Sequence, residues 1–178
     1  MLTNFVLTLT GPDRIGIVDE MTGLLLERDG NVETSRMARL GGEFAVLMLV
    51  SMPEAGFSDL NRALETLTDP GYKVTTTLTG HTYAQSHRGW LPYKIEVEGA
   101  DHEGIIHEVA HYLSEHGISI ESMESESTPA PTSGAPLFAM TALVVVPPDL
   151  SATNWQAGLQ SIGGRMNLDI SISAQVAS

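Results

Sequence analysis

The second half of this chain repeats the first, and the repeat limits the fold more than any other feature of the sequence. Residues 11–18, Gly-Pro-Asp-Arg-Ile-Gly-Ile-Val, return as residues 99–106, Gly-Ala-Asp-His-Glu-Gly-Ile-Ile, at an offset of about 88 residues. Roughly a third of the positions from there to residues 35 and 123 are identical without a gap. A repeat of this size divides the 178 residues into two small domains. We expect them at residues 1–80 and 91–178, with a linker at residues 81–90.

Hydrophobic periodicity predicts the same order of elements, β-α-β-β-α-β, in each half. In the first half the predicted elements are strand 3–10, a helix from residue 17, strands 31–40 and 43–52, helix 60–67 and strand 72–79. In the second half they are strand 93–98, helix 104–115, strands 118–127 and 137–146, helix 152–162 and strand 167–174. This order is the ferredoxin-like arrangement of the α+β class, a four-stranded antiparallel sheet with two helices on one face.

Three local patterns refine this prediction. The first helix is expected to end near Asp29, with Gly30 in the left-handed conformation. Gly41 and Gly42 suit a two-residue hairpin turn. Residues 44–50 are all apolar, which indicates a central strand buried on both faces, or covered by helices on one face and by a partner on the other. The second half carries an insertion, the Pro-rich residues 128–136, which predicts a longer hairpin connection.

Composition narrows the class of protein. The net charge is −13 with only nine Lys and Arg, so a phosphate backbone would be repelled and direct nucleic-acid binding is disfavoured. No cysteine is present for disulfide or thiolate chemistry. The first residues lack the pattern of a secretory leader, and no apolar run approaches the length of about 18 residues that a membrane helix needs. We expect a cytoplasmic protein that does not enter a membrane.

The turn between the first strand and the first helix of each half is the predicted ligand site. Gly11 and Gly16 allow the backbone to approach a ligand closely, and the N–H groups at a helix start attract a carboxylate. Asp13 is placed to hold an ammonium group, with Asn31 or nearby carbonyls as further partners. The pattern therefore predicts a site for a zwitterion. The same residues also fit an ordinary turn, because an Asp before a helix favours the helix dipole without any ligand.

These residues resemble the ACT domain. The likeness is carried by residues 11–18, by residues 30–33 (Gly-Asn-Val-Glu) and by the hairpin residues 39–44. The tandem form resembles the glycine cleavage system transcriptional repressor family over almost the whole chain. Two departures stand out: Ile15 occupies the place of the usual Pro at the helix start, and residues 100–103 match the family pattern more loosely than their first-copy counterparts.

The resemblance implies two tandem ferredoxin-like ACT domains in a non-catalytic regulatory protein that needs no cofactor. It implies binding of a small amino acid, glycine or similar, at domain or subunit interfaces, and a DNA-binding transcriptional regulator as the partner. It also implies a homo-oligomer or intramolecular pairing of the two domains. The ligand-binding positions carried over are Asp13, Arg14, Ile15, Gly16, Ile17 and Asn31, then Asp101, His102, Gly104, Ile105 and, as a weaker match, Ser119. The amide of Asn31 has no counterpart in the second copy, so either the two sites differ in affinity or only one binds.

Two other functions fit the sequence. One is a protein-interaction adaptor without a ligand, in which sheet edges or helices mediate assembly. The other is a zinc-binding protein, because residues 107–111 match H-E-x-x-H, which on a helix presents His107 and His111 on one face. The apolar stripe of the same helix leaves both histidines at its exposed edge, and the first copy lacks them. A solvated helix face is the preferred interpretation of this motif.

Overall fold

The structure, a computed structural model, describes residues 1–68, 71–79 and 87–175. The chain forms two compact units, unit 1 at Met1–Thr82 and unit 2 at Tyr83–Ser178. Most of the predicted linker, residues 81–86, lies outside the described residues. Unit 1 contains β1 (Leu2–Pro12), α1 (Ile17–Leu26), β2 (Asn31–Leu40), β3 (Glu43–Pro53), α2 (Phe57–Leu64) and β4 (Lys73–Leu78). Unit 2 contains β5 (Leu91–Ala100), α3 (Ile105–Glu115), β6 (Ser119–Pro129), β7 (Pro136–Val146), α4 (Trp155–Met166) and β8 (Leu168–Ala174). Short helical turns also occur at Glu54–Gly56, Glu65–Leu67 and Pro148–Ser151.

The predicted fold class is confirmed in both units. Each has a four-stranded antiparallel sheet, with strand order β2-β3-β1-β4 in unit 1 and β6-β7-β5-β8 in unit 2. One face of each sheet packs against two helices, because alternate residues of the central strands are apolar and point the same way. Within the described ranges of the chain, no helix is long and apolar enough to cross a membrane.

The central strand β3 is buried on one face only. Val46 and Met48 are buried against the helices, whereas Leu47 between them is 49% exposed. The apolar run therefore reflects a helix-covered face together with leucines on the opposite side. We call that opposite side of each sheet its open face, and its residues are mostly exposed or half-buried in both units.

The end of α1 differs from the prediction. Asp29, not Gly30, takes the left-handed conformation, with a φ of 56°. Gly30 is outside the left-handed region, and its N–H donates to the Leu25 carbonyl at 2.8 Å, as the N–H of its counterpart Ile118 donates to the Leu113 carbonyl at 2.9 Å. In unit 2 the position equivalent to Asp29 is Gly117, with a φ of 63°. The prediction for Gly30 was wrong because the left-handed residue lies one position earlier, and the isoleucine at the equivalent place in unit 2 shows that this backbone contact does not require glycine.

The two hairpins differ in length, although in both the antiparallel pairing continues up to the turn. Gly41 and Gly42 have φ values of 59° and 88°, which confirms the two-residue turn between β2 and β3. In unit 2 the strands continue until Pro129 pairs with Pro136, and the tip beyond them is closed by further backbone hydrogen bonds. The Pro-rich insertion therefore extends the ladder as well as lengthening the loop.

Candidate ligand site

The loops that lead into α1 and α3 have the same backbone conformation. Gly16, at the start of α1, has φ 93° and ψ −7°, and Gly104, at the start of α3, has φ 92° and ψ −7°. The carbonyl of each glycine accepts the first helical hydrogen bond at 2.9 Å, from Glu20 and Glu108 respectively. An L side chain is strained at such a positive φ. Both helices therefore begin on a residue that only glycine fills without strain.

The first N–H groups of both helices are free of side-chain caps. Uncapped N–H groups at a helix start, together with the helix dipole, favour an anion. In α1 the nearby Glu20 carboxylate accepts a hydrogen bond from Arg14, and this contact raises the pKa of the Arg14 guanidinium. The pairing offsets one of the negative charges that would otherwise oppose a bound carboxylate.

Each loop is tied to the adjacent hairpin by one backbone hydrogen bond. The Asp13 N–H donates to the Gly42 carbonyl at 2.9 Å, and the Asp101 N–H donates to the Pro136 carbonyl at 3.0 Å. These four residues occupy equivalent places in the two units. The position of both aspartates is therefore set by main-chain contacts that the repeats share.

The carboxylates of Asp13 and Asp101 contact different residue types, although the two contacting residues are at equivalent positions of the repeat. Asp13 Oδ2 lies 3.2 Å from Nη1 of Arg39 near the end of β2, whereas Asp101 Oδ2 accepts a hydrogen bond from the Ser127 hydroxyl at 2.6 Å. Residues 39 and 127 correspond in the repeat. The first loop thus presents a carboxylate beside a cation, and the second presents a carboxylate held by a neutral group.

Different side chains anchor the two loops to the rest of their units. In unit 1 the Tyr72 hydroxyl donates to the Pro12 carbonyl at 2.7 Å, and the Arg14 guanidinium carbon lies 5.5 Å from the Tyr72 ring centroid. In unit 2 His102, which replaces Arg14, has Nε2 at 3.1 Å from the carbonyl oxygen of Met166, the last residue of α4. Each loop is therefore held by a hydrogen bond to a residue that lies just before the last strand of its unit.

Not all of the predicted site residues can contact a ligand through their side chains. The side chains of Ile17 and Ile105 are buried in the two cores, so only their backbone N–H groups are available. Ile15 is fully exposed on the first loop. The contact of these four-residue loops, 13–16 and 101–104, with a ligand stays a prediction, and it rests on main-chain atoms and on Asp13 and Asp101.

Asn31 lies apart from the other predicted site residues of unit 1. Its amide donates to Glu33 Oε1 at 3.1 Å, and the Ser51 hydroxyl donates to the same oxygen at 2.6 Å. Asn31 begins β2 and Arg39 nearly ends it, so roughly 26 Å of extended strand separates Asn31 from the Asp13 loop. Within one unit, Asn31 and Asp13 do not hold the same small ligand, and Ser119 is in the equivalent remote place.

Sequence reasoning overlooked Arg39, Ser127 and Tyr72. Arg39 and Ser127 were detectable, because the offset that relates the loops also relates these two residues. Tyr72 had no such signal, since its counterpart in unit 2 is Leu168.

The H-E-x-x-H segment lies on the surface of α3. The rings of His107 and His111 are stacked with centroids 5.8 Å apart, and His111 Nε2 lies 3.4 Å from Oε1 of Glu115. A catalytic zinc requires three protein ligands around one point. Among the residues that the structure describes, no three His, Asp or Glu side chains are grouped to hold a metal ion.

Comparison with known proteins agrees with the fold. The family model of the ACT domain matches residues 3–70. The glycine cleavage system transcriptional repressor of Escherichia coli (strain K12) is 25% identical over 170 residues, which are 94% of this chain and 88% of that protein. The crystal structure of an unknown protein from Galdieria sulphuraria is similar with a TM-score of 0.87 at 34% identity, over 99% of this chain and 100% of the other. The crystal structure of a candidate glycine cleavage system transcriptional repressor, at 21% identity and a TM-score of 0.69 over 99% of each chain, shows the shared fold.

The repeated βαββαβ units and their glycine-led loops define a protein built from two copies of one α+β module. Residues 3–70 of this chain are an ACT domain, the second unit repeats its fold, and the chain as a whole resembles the glycine cleavage system transcriptional repressors. The family and the relatives support a regulatory, non-catalytic role.

Proposed function

We propose that this chain is a regulatory protein that binds a small amino acid, glycine or a close analogue, at the loops preceding α1 and α3. The observation that carries the proposal is the pair of uncapped, glycine-led helix starts, each beside an aspartate fixed by the neighbouring hairpin. The helix N–H groups donate hydrogen bonds to the α-carboxylate of the ligand. The carboxylate of Asp13 or Asp101 accepts hydrogen bonds from its ammonium group.

The two loops are expected to bind with different affinities. At Asp13 the ligand ammonium competes with Arg39 for the carboxylate, although Arg39 also adds a cation near the ligand carboxylate. At Asp101 no cation competes, because Ser127 is neutral. The charge difference between Arg39 and Ser127, and not the amide of Asn31, is therefore the expected cause of unequal affinity.

Binding regulates a partner only if the ligand prefers one state of the protein over another. The partner we propose is a DNA-binding transcriptional regulator in the cytoplasm, since the curated relative is described as a transcriptional repressor. The net charge of −13 disfavours direct contact with DNA, so this chain acts on the regulator.

Thermal unfolding of the purified chain in the presence of single amino acids tests the proposal. Glycine at about 100 times its Kd is expected to stabilise the binding unit by roughly 2.7 kcal/mol. Asp13→Asn and Asp101→Asn, made singly and together, identify the loop responsible. Asp149→Asn, at an exposed position on the turn Pro148–Ser151, is the matched control and keeps the full shift.

Two results would contradict the proposal. One is the absence of a shift with every common amino acid at millimolar concentration, which would favour the ligand-free adaptor and direct the search to protein partners. The other is an unchanged glycine shift in the double variant, which would place the ligand away from both loops.

A further inference from the structure

His107 and His111 lie one helical turn apart on the outer surface of α3. This helix packs on the side of its sheet opposite the open face, where Val109 and Leu113 are buried in the core of unit 2. The side chain of His111 is 57% exposed, and His107 is exposed as well. Residues four apart on a helix have Cβ atoms about 5–6 Å from each other. The two imidazoles therefore occupy one patch of the helix surface.

The two rings are close enough to share one metal ion. Their centres are 5.8 Å apart, and their planes are within 13° of parallel. An ion about 2.0–2.1 Å from one nitrogen of each ring lies about 3.2 Å from each ring centre, so rings with centres up to about 6.4 Å apart can bind it together. The last side-chain torsion of a histidine is broad, which lets each exposed ring turn a nitrogen towards that point. The helix therefore holds two metal ligands at a suitable separation.

The charges along α3 favour a cation at this pair. Oε1 of Glu115 lies 3.4 Å from Nε2 of His111, one further turn along the helix. A carboxylate beside a ligating histidine orients the ring and raises its basicity. Glu108, half-buried, lies between the two histidines in the sequence, which contains no lysine or arginine between Lys94 and Arg165. The histidines are thus placed on an acidic helix, whose charge offsets that of a bound dication.

We propose that His107 and His111 bind one divalent transition-metal ion, Cu²⁺ more tightly than Zn²⁺. Imidazole suits both ions, and the order of affinity follows the general ranking of divalent metals. Two protein nitrogens leave the remaining coordination positions to water, whereas a catalytic zinc has three protein ligands. The pair is therefore a binding site and not a catalytic one. Unit 1 has Asp19 and Gly23 at the equivalent positions, so the repeat does not supply a second histidine pair.

An ion at this site stabilises the beginning of α3. The helix starts at Ile105, and the carbonyl of Gly104 accepts its first hydrogen bond from the N–H of Glu108 at 2.9 Å. An ion that joins residues 107 and 111 holds the turn between them in its helical form. Because this two-point contact exists only when the helix is formed, the ion binds the folded unit more tightly than the unfolded chain and raises its stability.

Calorimetric titration of the full chain with Cu²⁺ tests the proposal, with protein prepared without a histidine tag. Either His107→Ala or His111→Ala is expected to raise the Kd of the site by about 100-fold, because the second imidazole binds at a high effective concentration once the first is bound. Electron paramagnetic resonance of the copper complex is expected to show two imidazole nitrogens in the wild type and one in each variant. Saturating Zn²⁺ is expected to raise the melting temperature of the wild type and of neither variant.

A variant of unchanged composition separates the spacing of the histidines from their number. His111→Ser with Ser114→His exchanges two exposed residues of α3 and places its two imidazoles seven residues apart, about 10.5 Å along the helix. This distance is too long for one ion, so the variant is expected to bind Cu²⁺ as weakly as His111→Ala. Glu108→Gln is the matched control on the same helix, and it is expected to keep the two-nitrogen copper spectrum.

Three outcomes would overturn the proposal. They are a Kd for Cu²⁺ that is the same in the wild type and the single variants, which would mean adventitious binding elsewhere on the chain, a rearranged variant that binds as tightly as the wild type, and a wild-type copper spectrum with fewer than two imidazole nitrogens. Thermal unfolding without metal shows whether each variant is folded. If His107→Ala is not, His107→Gln is measured in its place, and an unchanged Kd in that variant also overturns the proposal. No amino acid is present in these measurements, so their result is independent of the proposed function.

Discussion

The ring of Tyr72 occupies the space in which residue 11 would carry a side chain. A Cβ built on Gly11 lies 2.5 Å from Cδ1 of Tyr72 and 3.1 Å from its Cα. The hydroxyl of the same tyrosine donates to the Pro12 carbonyl at 2.7 Å. One residue thus packs on the end of β1 and holds the carbonyl that immediately precedes the Asp13 loop.

Gly11→Ala is expected to lower the free energy of unfolding of unit 1 by about 2 kcal/mol, because the added methyl group must displace Tyr72 including its backbone. Chemical denaturation measures the change. Gly23→Ala is the matched control, since a Cβ at this position in α1 has nothing within 4 Å. That variant is expected to be more stable than the wild type by about 0.5–1 kcal/mol. Equal effects of the two variants would show that Tyr72 does not restrict residue 11.

Glu33 is expected to contribute to stability at neutral pH and to lose that contribution in acid. It is the residue at the bulge of β2, and hydrogen bonds from Ser51 and Asn31 hold the pKa of its carboxyl below the ordinary value of 4.5. A lowered folded pKa means that the stabilisation is present above 4.5 and is lost as pH falls through the folded value. Glu33→Gln should therefore reduce the melting temperature at pH 7, and the difference from the wild type should shrink below about pH 4.

The control for this prediction is Glu121→Gln. Glu121 occupies the same bulge position on β6 and is exposed like Glu33, but its carboxylate has no hydrogen-bond partner in the described part of the chain. Glu121→Gln should not change how the melting temperature falls as the pH is lowered from 7. A pH-independent difference between Glu33→Gln and the wild type would contradict the role given to the Glu33 carboxylate.

Tyr112 is expected to limit stability in alkali. Its hydroxyl donates to the Trp155 carbonyl at 2.6 Å, and burial raises its pKa above the ordinary value of 10.0. Because the folded state favours the neutral form, the stabilisation is present below pH 10 and is lost as pH rises through the folded pKa. Tyr112→Phe should lower the free energy of unfolding by about 1 kcal/mol at pH 7. Above pH 10, its melting temperature should fall less steeply with rising pH than that of the wild type.

Melting temperatures from pH 7 to pH 11 measure this effect. Tyr93→Phe is the comparison, since that ring contacts Trp155 edge to face and the substitution keeps the ring. An alkaline limb that is as steep in Tyr112→Phe as in the wild type would contradict the prediction.

Most of the fold could be predicted from the sequence. The repeat is visible when the two halves are compared directly, and the periodicity of apolar residues is a local signal. The hairpin at Gly41 and Gly42 was predictable for the same reason: a positive φ at both positions selects glycine. Gly30 shows the limit of this reasoning, since its neighbour Asp29 takes the left-handed conformation and Gly30 does not. Where an Asp and a Gly are adjacent at the end of a helix, the sequence pattern does not show which of the two takes that conformation.

The candidate site was predictable only in part. The loops could be located from Gly16 and Gly104, but the distance of Asn31 from Asp13 depends on the direction of β2, which spacing along the chain does not reveal. Contacts between residues far apart in the chain decide this feature.

The hydrogen bonds from Asp13 to Gly42 and from Asp101 to Pro136 join only main-chain atoms. Mutations at positions 39 and 127 can therefore change what surrounds each carboxylate without moving the loop itself. After a gene segment is duplicated, such a frame lets one copy acquire a new preference while the other keeps the ancestral one. Arg39 in the first copy and Ser127 in the second are an example of such divergence.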